Sequence, residues 1–136
     1  IIVMVQKEVA EKFTAKVNDK DYSSLGIITE LISVNSRILF DVPPESFDPP
    51  PKIISSILYI KKDMDKHLDK DFNKFLKACF VQPRKKLSKN LTSVIDKNTI
   101  SKIYEELNIN DNVRPHEVSS SLYSQMHTRV INGRNK

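Results

Sequence analysis

Apolar residues follow two different rhythms along this chain, and the change between them divides it. Residues 1–5, IIVMV, form a continuous, mostly β-branched run of the kind expected of a strand buried on both faces. Such a strand needs neighbours on both sides, so the expectation is a sheet only partly contained in this sequence. QKEVAEKFTAK then sets Val9 and Phe13 four apart, with acids early and lysines late, which predicts a short helix that complements its own dipole. DYSSLGIITELIS predicts a second helix, capped by Ser23 or Ser24. Two further strands are predicted, RILFDV over residues 37–42 and KIISSILYIKK from about Lys52. A strand, two helices and two more strands are the pattern of the closing end of an α/β sheet.

The charged stretch KKDMDKHLDK, residues 61–70, reads as a connection, and beyond it every apolar repeat is helical. Phe72, Phe75, Leu76, Cys79 and Phe80 make one stripe, which Pro83 ends. Leu87 and Leu91 restart the period. Ile100, Ile103, Tyr104 and Leu107 carry a further stripe, and Leu122, Met126 and Val130 the last, before a terminal NGRNK expected to fray. The predicted organisation is therefore α/β then all-α. Residues 1–62 would belong to a sheet domain and residues 63–136 to a small bundle of about four short helices.

Between the two last strands lies FDVPPESFDPPPK, which packs five of the seven prolines into nine residues. Each proline ring fixes φ and biases the residue before it toward extended geometry, so this connection is a rigid, shaped wall. Phe47 sits inside it. An aromatic braced by Pro49, Pro50 and Pro51 loses little entropy when it stacks on a flat partner. The alternative is that Phe47 folds back into the core.

Charge sharpens the division. Residues 1–60 hold six Lys/Arg against eight Asp/Glu, whereas residues 61–136 hold sixteen against nine, within a formal net charge of +5. A near-neutral first part and a basic second part point to a polyanionic partner, nucleic acid first among them, although a merely Lys-rich helical domain has the same signature. In QPRKKLSKN, residues 82–90, Arg84, Lys85, Lys86 and Lys89 cluster at a predicted helix start, which suits phosphate contacts that position RNA without reading its sequence. The alternative is a solvated helix face.

Other chemistries find less support. The single cysteine, Cys79, lies in an apolar run, excludes an internal disulfide and suits a reducing, cytoplasmic setting. His67, His116 and His127 lack metal-ligand spacing, and two glycines, Gly26 and Gly133, cannot form a phosphate-cradling loop. No apolar run is long enough for a membrane span, and the first residues lack the features of a signal peptide.

Together VMVQKEVAEKFTAK, ILFDVPPESFDPPPKI and FLKACFVQPRKKLSKNL resemble, in order and spacing, the bacterial ribosomal RNA adenine dimethyltransferases of the KsgA type. The resemblance covers almost the whole chain and is to the carboxy-terminal half of such an enzyme. It implies the closing strands and helices of a Rossmann-like methyltransferase sheet followed by a small helical RNA-binding domain. On that template residues 1–5 would be a late central strand, and residues 37–42 and 53–60 the last two strands, paired as a hairpin. The family's glycine-rich loop for S-adenosylmethionine and its Asn-Leu-Pro-Tyr motif have no counterpart in this sequence, so no catalytic residue is expected here. By the same resemblance Phe47 stacks on a flipped adenine, Pro49, Pro50 and Pro51 fix its loop, and the partners are small-subunit ribosomal RNA, the small ribosomal subunit, and the missing amino-terminal half or a second copy. Two departures stand out: Ile54 occupies the position of the family's usual acid after the prolines, and Pro83 interrupts the basic cluster. A non-catalytic RNA-binding or ribosome-associated module, and a basic helical adaptor for an acidic protein, are the competing readings.

Overall fold

The computed structural model describes residues 1–67 and 69–134. Strand β1 (Ile2–Gln6) passes without a loop into helix α1 (Lys7–Thr14). Helix α2 (Ser24–Ile32) passes as directly into strand β2 (Ser33–Val42), and strand β3 (Ser55–Lys62) follows the proline segment. Four helices complete the described chain: α3 (Lys70–Cys79), α4 (Leu87–Leu91), α5 (Lys97–Leu107) and α6 (Ser120–Arg134).

The strands form an antiparallel sheet in the order β1-β3-β2, with β3 in the middle. The predicted β2–β3 hairpin is present, with Val42 opposite Ser55 at the loop end. β1 departs from expectation. It is an edge strand here, and Ile1, Ile2, Val3 and Met4 are 70, 64, 39 and 53% exposed, against a prediction of burial on both faces. The apolar run specifies a surface that another element can bury, and the described residues place β3 on one of its edges only.

Boundaries moved where turn chemistry overrode pattern. β2 starts at Ser33 because α2 ends without an intervening turn, the Ser33 N–H donating back to the Thr29 carbonyl. β3 starts at Ser55 rather than near Lys52, and Ile53 and Ile54 remain exposed in the proline connection. α3 ends at Cys79, before Pro83 could end it. Helix α6 extends to Arg134, so Asn132, Gly133 and Arg134 are helical rather than frayed; Asn135 and Lys136 lie outside the described residues. Leu68, within the expected connection, also lies outside them.

The helices start where their caps put them. Asp69 accepts from the backbone N–H groups of Asp71 and Phe72 at the head of α3, and Asp96 accepts from that of Thr99 at the head of α5. Asn108, at φ 57°, closes α5 in the left-handed region that Asn tolerates. Ser23 occupies the cap position of α2, but its side chain makes no capping bond. Of the predicted stripes, Phe72, Phe75, Leu76 and Cys79 from α3, Leu87 and Leu91 from α4, Ile100, Ile103 and Tyr104 from α5, and Met126 and Val130 from α6 are buried, whereas Phe80, Leu107 and Leu122 are only partly buried against them; Tyr123 of α6, which the pattern did not include, is buried as well. Ala15, Tyr22 and Ile27 belong to the same cluster, which joins the α1–α2 region to the helical unit. Glu30 on α2 accepts from Tyr22 at 3.3 Å and from Ser120 at the head of α6 at 2.8 Å, fastening the same junction.

Candidate nucleic-acid interface

The proline connection leaves β2 at Val42, makes one short 3-10 turn (Pro44–Ser46), and returns through Pro49, Pro50 and Pro51 to β3. The Phe47 N–H donates to the Pro44 carbonyl at 3.1 Å, so the turn sets its backbone. Phe47 is half-buried, neither withdrawn into the core nor fully presented, while the three prolines after it are exposed. The base of the loop is held by a polar network that the sequence did not announce. Asp41 accepts from the buried Ser56 hydroxyl at 2.7 Å across the β2–β3 pair and meets the Lys7 ammonium at 2.9 Å. The Lys7 backbone N–H donates to the Ile54 carbonyl at 2.9 Å. The Lys7 contact, then the Ser56 hydrogen bond, hold the Asp41 carboxyl below the usual carboxylate range, and Asp41 in turn raises Lys7. As an exposed pair this adds little stability; its effect is to fix where the chain leaves the sheet.

Arg84, Lys85 and Lys86 lie on the turn that precedes α4, and only Lys89 lies on the helix; all four are exposed. The sequence placed them together at a helix start, and the structure puts three of them just before it. The proximity and charge of Lys85 hold the Lys89 ammonium below the ordinary lysine value. Two like charges thus stand near each other, an arrangement that a phosphate relieves. Lys86 and Lys89 also flank a cavity of about 480 Å³ between α4 and α5, with Lys97, Ser101 and Tyr104 among its other lining residues.

The turn is anchored at both ends. The Leu87 N–H donates to the Val113 carbonyl at 2.8 Å. Asn90, 7% exposed, accepts from the Gln82 N–H at 2.7 Å and donates to the Gln82 and Lys86 carbonyls at 3.0 and 3.1 Å. Sequence reasoning missed this residue, although a signal existed: Asn90 falls three after Leu87 and one before Leu91, a polar side chain on an otherwise apolar face. Sequence reasoning also missed His127, which is 5% exposed and lies 2.7 Å from the Asp71 carboxylate, with Arg134 on the same carboxylate at 3.2 Å. Among the described hydrogen bonds none links the proline connection to the basic turn.

Of the two glycines, Gly26 serves packing. A Cβ on Gly26 would meet the Lys12 carbonyl at 3.2 Å and the Ala15 carbonyl at 3.3 Å, so this glycine lets α2 approach α1; Gly133 faces open space. Neither lies at a strand-to-helix turn: Gly26 is in α2 and Gly133 in α6. No described helix is long and apolar enough to cross a membrane.

Comparison with known proteins places this architecture. Residues 1–132 match the family model for ribosomal RNA adenine dimethylase. The chain is 85% identical over 136 residues to a ribosomal RNA small subunit methyltransferase A from Aliarcobacter butzleri, covering all of this chain and 51% of that protein. It is 46% identical over 127 residues to the protein of the same name from Sulfurimonas denitrificans, covering 93% of this chain and 47% of that one. Among solved structures, a dimethyladenosine transferase from Plasmodium falciparum superposes with a TM-score of 0.80 at 22% identity, over 96% of this chain and 56% of that one. The 23S rRNA methyltransferase ErmE superposes at 0.63 and 17% identity, over 96% and 54%. These two show a shared methyltransferase-like fold. The chain spans about half the length of the curated relatives it matches, and it belongs to the ribosomal RNA adenine dimethylase family.

Proposed function

We propose that this chain is the carboxy-terminal part of a cytoplasmic, S-adenosylmethionine-dependent enzyme that dimethylates two adjacent adenosines near the 3′ end of small-subunit ribosomal RNA. The observation that carries the reading is the family match across residues 1–132. In this reading residues 1–62 complete the methyltransferase sheet, residues 63–136 hold the RNA, and the amino-terminal part of the polypeptide carries the cofactor. That part would also cover β1, whose exposed apolar side chains otherwise favour pairing with a second copy.

The exocyclic amine of adenine is a poor nucleophile because its lone pair is delocalised into the ring. Catalysis then rests on holding the base out of its stack and in line with the methyl donor. Phe47, on a connection stiffened by Pro49, Pro50 and Pro51 and pinned at its base by Lys7, Asp41 and Ser56, forms one wall of the adenine slot. Arg84, Lys85, Lys86 and Lys89 neutralise phosphates of the rRNA within the small ribosomal subunit and set the register.

The test is binding of a small-subunit rRNA fragment across a salt series. The Arg84→Gln/Lys85→Gln variant is expected to weaken binding and to shallow the slope of log affinity against log salt by about one to two, at roughly 0.7–0.9 per phosphate contact. An unchanged slope would remove the basic turn from the interface.

A further inference from the structure

We propose that Asn90 is a positioning residue for RNA binding: it holds the turn over residues 82–86 in the one shape that presents Arg84 and Lys85 together. This rests on the RNA-binding reading above and deepens it. The chemistry of the clamp is specific to asparagine. The Gln82 N–H needs an acceptor, while the Gln82 and Lys86 carbonyls, each already receiving backbone N–H, have room for a second donor, and the Asn90 amide supplies both from one plane. Aspartate would set a carboxylate against two carbonyls, and leucine would leave the Gln82 N–H without its acceptor.

The clamp is also fixed in space. Leu87 and Leu91, 0 and 1% exposed, bury the same face of α4, so Asn90 cannot turn away without lifting them. The other backbone bonds hold the ends of the turn or span it lightly: the Leu87 N–H to the Val113 carbonyl and the Lys89 and Asn90 N–H groups to the Lys86 carbonyl at one end, and the Lys85 N–H to the Gln82 carbonyl at 3.0 Å within it. Released from Asn90, the 82–86 segment keeps its charges and loses their arrangement.

The experiment is a double-mutant cycle on affinity for the small-subunit rRNA fragment, at a temperature where every variant is folded by circular dichroism. Asn90→Ala is expected to lose about tenfold in affinity and to shallow the salt slope by about one to two. Asn90→Ser is the second variant, because its hydroxyl can still bond the Lys86 carbonyl one helical turn back but cannot span to Gln82, so it spares α4 and frees the turn. Combined with Arg84→Gln/Lys85→Gln, either substitution is expected to add no further loss, since it acts through those two side chains. Losses that add in full, or an Asn90→Ser variant that binds like the parent with an unchanged slope, would overturn the positioning role and leave the basic turn in place. Insensitivity of binding to Arg84→Gln/Lys85→Gln would instead sink the RNA-binding reading, and the role of Asn90 with it.

Discussion

One substitution, made at two tyrosines of the same core, is expected to change stability in opposite directions. Tyr104 on α5 is 4% exposed, and its hydroxyl has no hydrogen-bond partner among the described residues. Tyr123 on α6 is fully buried, and its hydroxyl donates to the Pro115 carbonyl at 2.6 Å. A buried, unsatisfied hydroxyl costs about 1–3 kcal/mol. Tyr104→Phe removes that cost and leaves a void of on the order of 10 Å³, worth about 0.2 kcal/mol at roughly 24 cal/mol per Å³. The net gain is about 1 kcal/mol. At about 2.1 cal/mol/K of unfolding entropy per residue, the 136 residues give about 0.29 kcal/mol/K, so Tm rises by about 3–4 °C. Tyr123→Phe does the reverse, stranding the buried Pro115 carbonyl at a cost of about 1–3 kcal/mol and lowering Tm by about 3–10 °C. The loop around Pro115 also contains the Val113 carbonyl that receives the Leu87 N–H, so the second variant loosens the seat of the basic turn as well. Thermal unfolding followed by circular dichroism, checked by urea titration for an unchanged m-value, measures both. A lower Tm for Tyr104→Phe would refute the reasoning, because it would mean that the hydroxyl has a partner in solution.

Three further outcomes follow from the site and its supports. Asp71 is held below the usual carboxylate range, first by the hydrogen bond from His127 and then, against partial desolvation, by the charge of Arg134. A carboxyl depressed by folding stabilises above its unfolded value and loses that contribution as pH falls through its folded one, so the Tm values of parent and Asp71→Asn should differ at neutral pH and converge in acid; a constant gap would contradict this. Leu91→Ala empties a 1% exposed site under the helix that carries Lys89 and should destabilise by about 2–5 kcal/mol in chemical denaturation. Phe47→Ala, at a half-buried loop position, should leave Tm nearly unchanged yet weaken adenine engagement by about 1–3 kcal/mol in the full-length polypeptide, seen as reduced methyl transfer to rRNA.

The helical unit was legible because its signal is local. Phe72, Phe75, Leu76 and Cys79, then Leu87 and Leu91, then Ile100, Ile103 and Tyr104 are spaced for one face of a helix, and each is buried where the period put it. The polar clamps were not legible, because they pair residues whose separation carries no period: Ser56 with Asp41, His127 with Asp71, and Asn90 with the backbone of Gln82. Only Asn90 left a local trace, as a polar residue in an apolar stripe. The basic residues were found by type and misplaced by a few positions, since nothing in RKK distinguishes a turn before α4 from the helix itself; the backbone bonds of Leu87 and Asn90 decide that.

β1 shows why an apolar pattern specifies an affinity and not a location. Ile2, Val3 and Met4 are as β-prone and apolar as a central strand requires, and they pair in register with Tyr59, Leu58 and Ile57 on β3. Those ladder bonds satisfy one edge of the strand and cover neither face. Burial of a sheet face needs helices above and below, and α1, which leaves β1 at once, keeps only Ala10 fully buried. Completing β1 by a further strand on its free edge and by helices on its faces would bury Ile2, Val3 and Met4, now 64, 39 and 53% exposed, each gaining about half of the roughly 1.5–3 kcal/mol that full burial of such a side chain is worth. An exposed apolar strand with one edge already paired is therefore the strongest physical argument in the chain for docking more sheet than the three strands described.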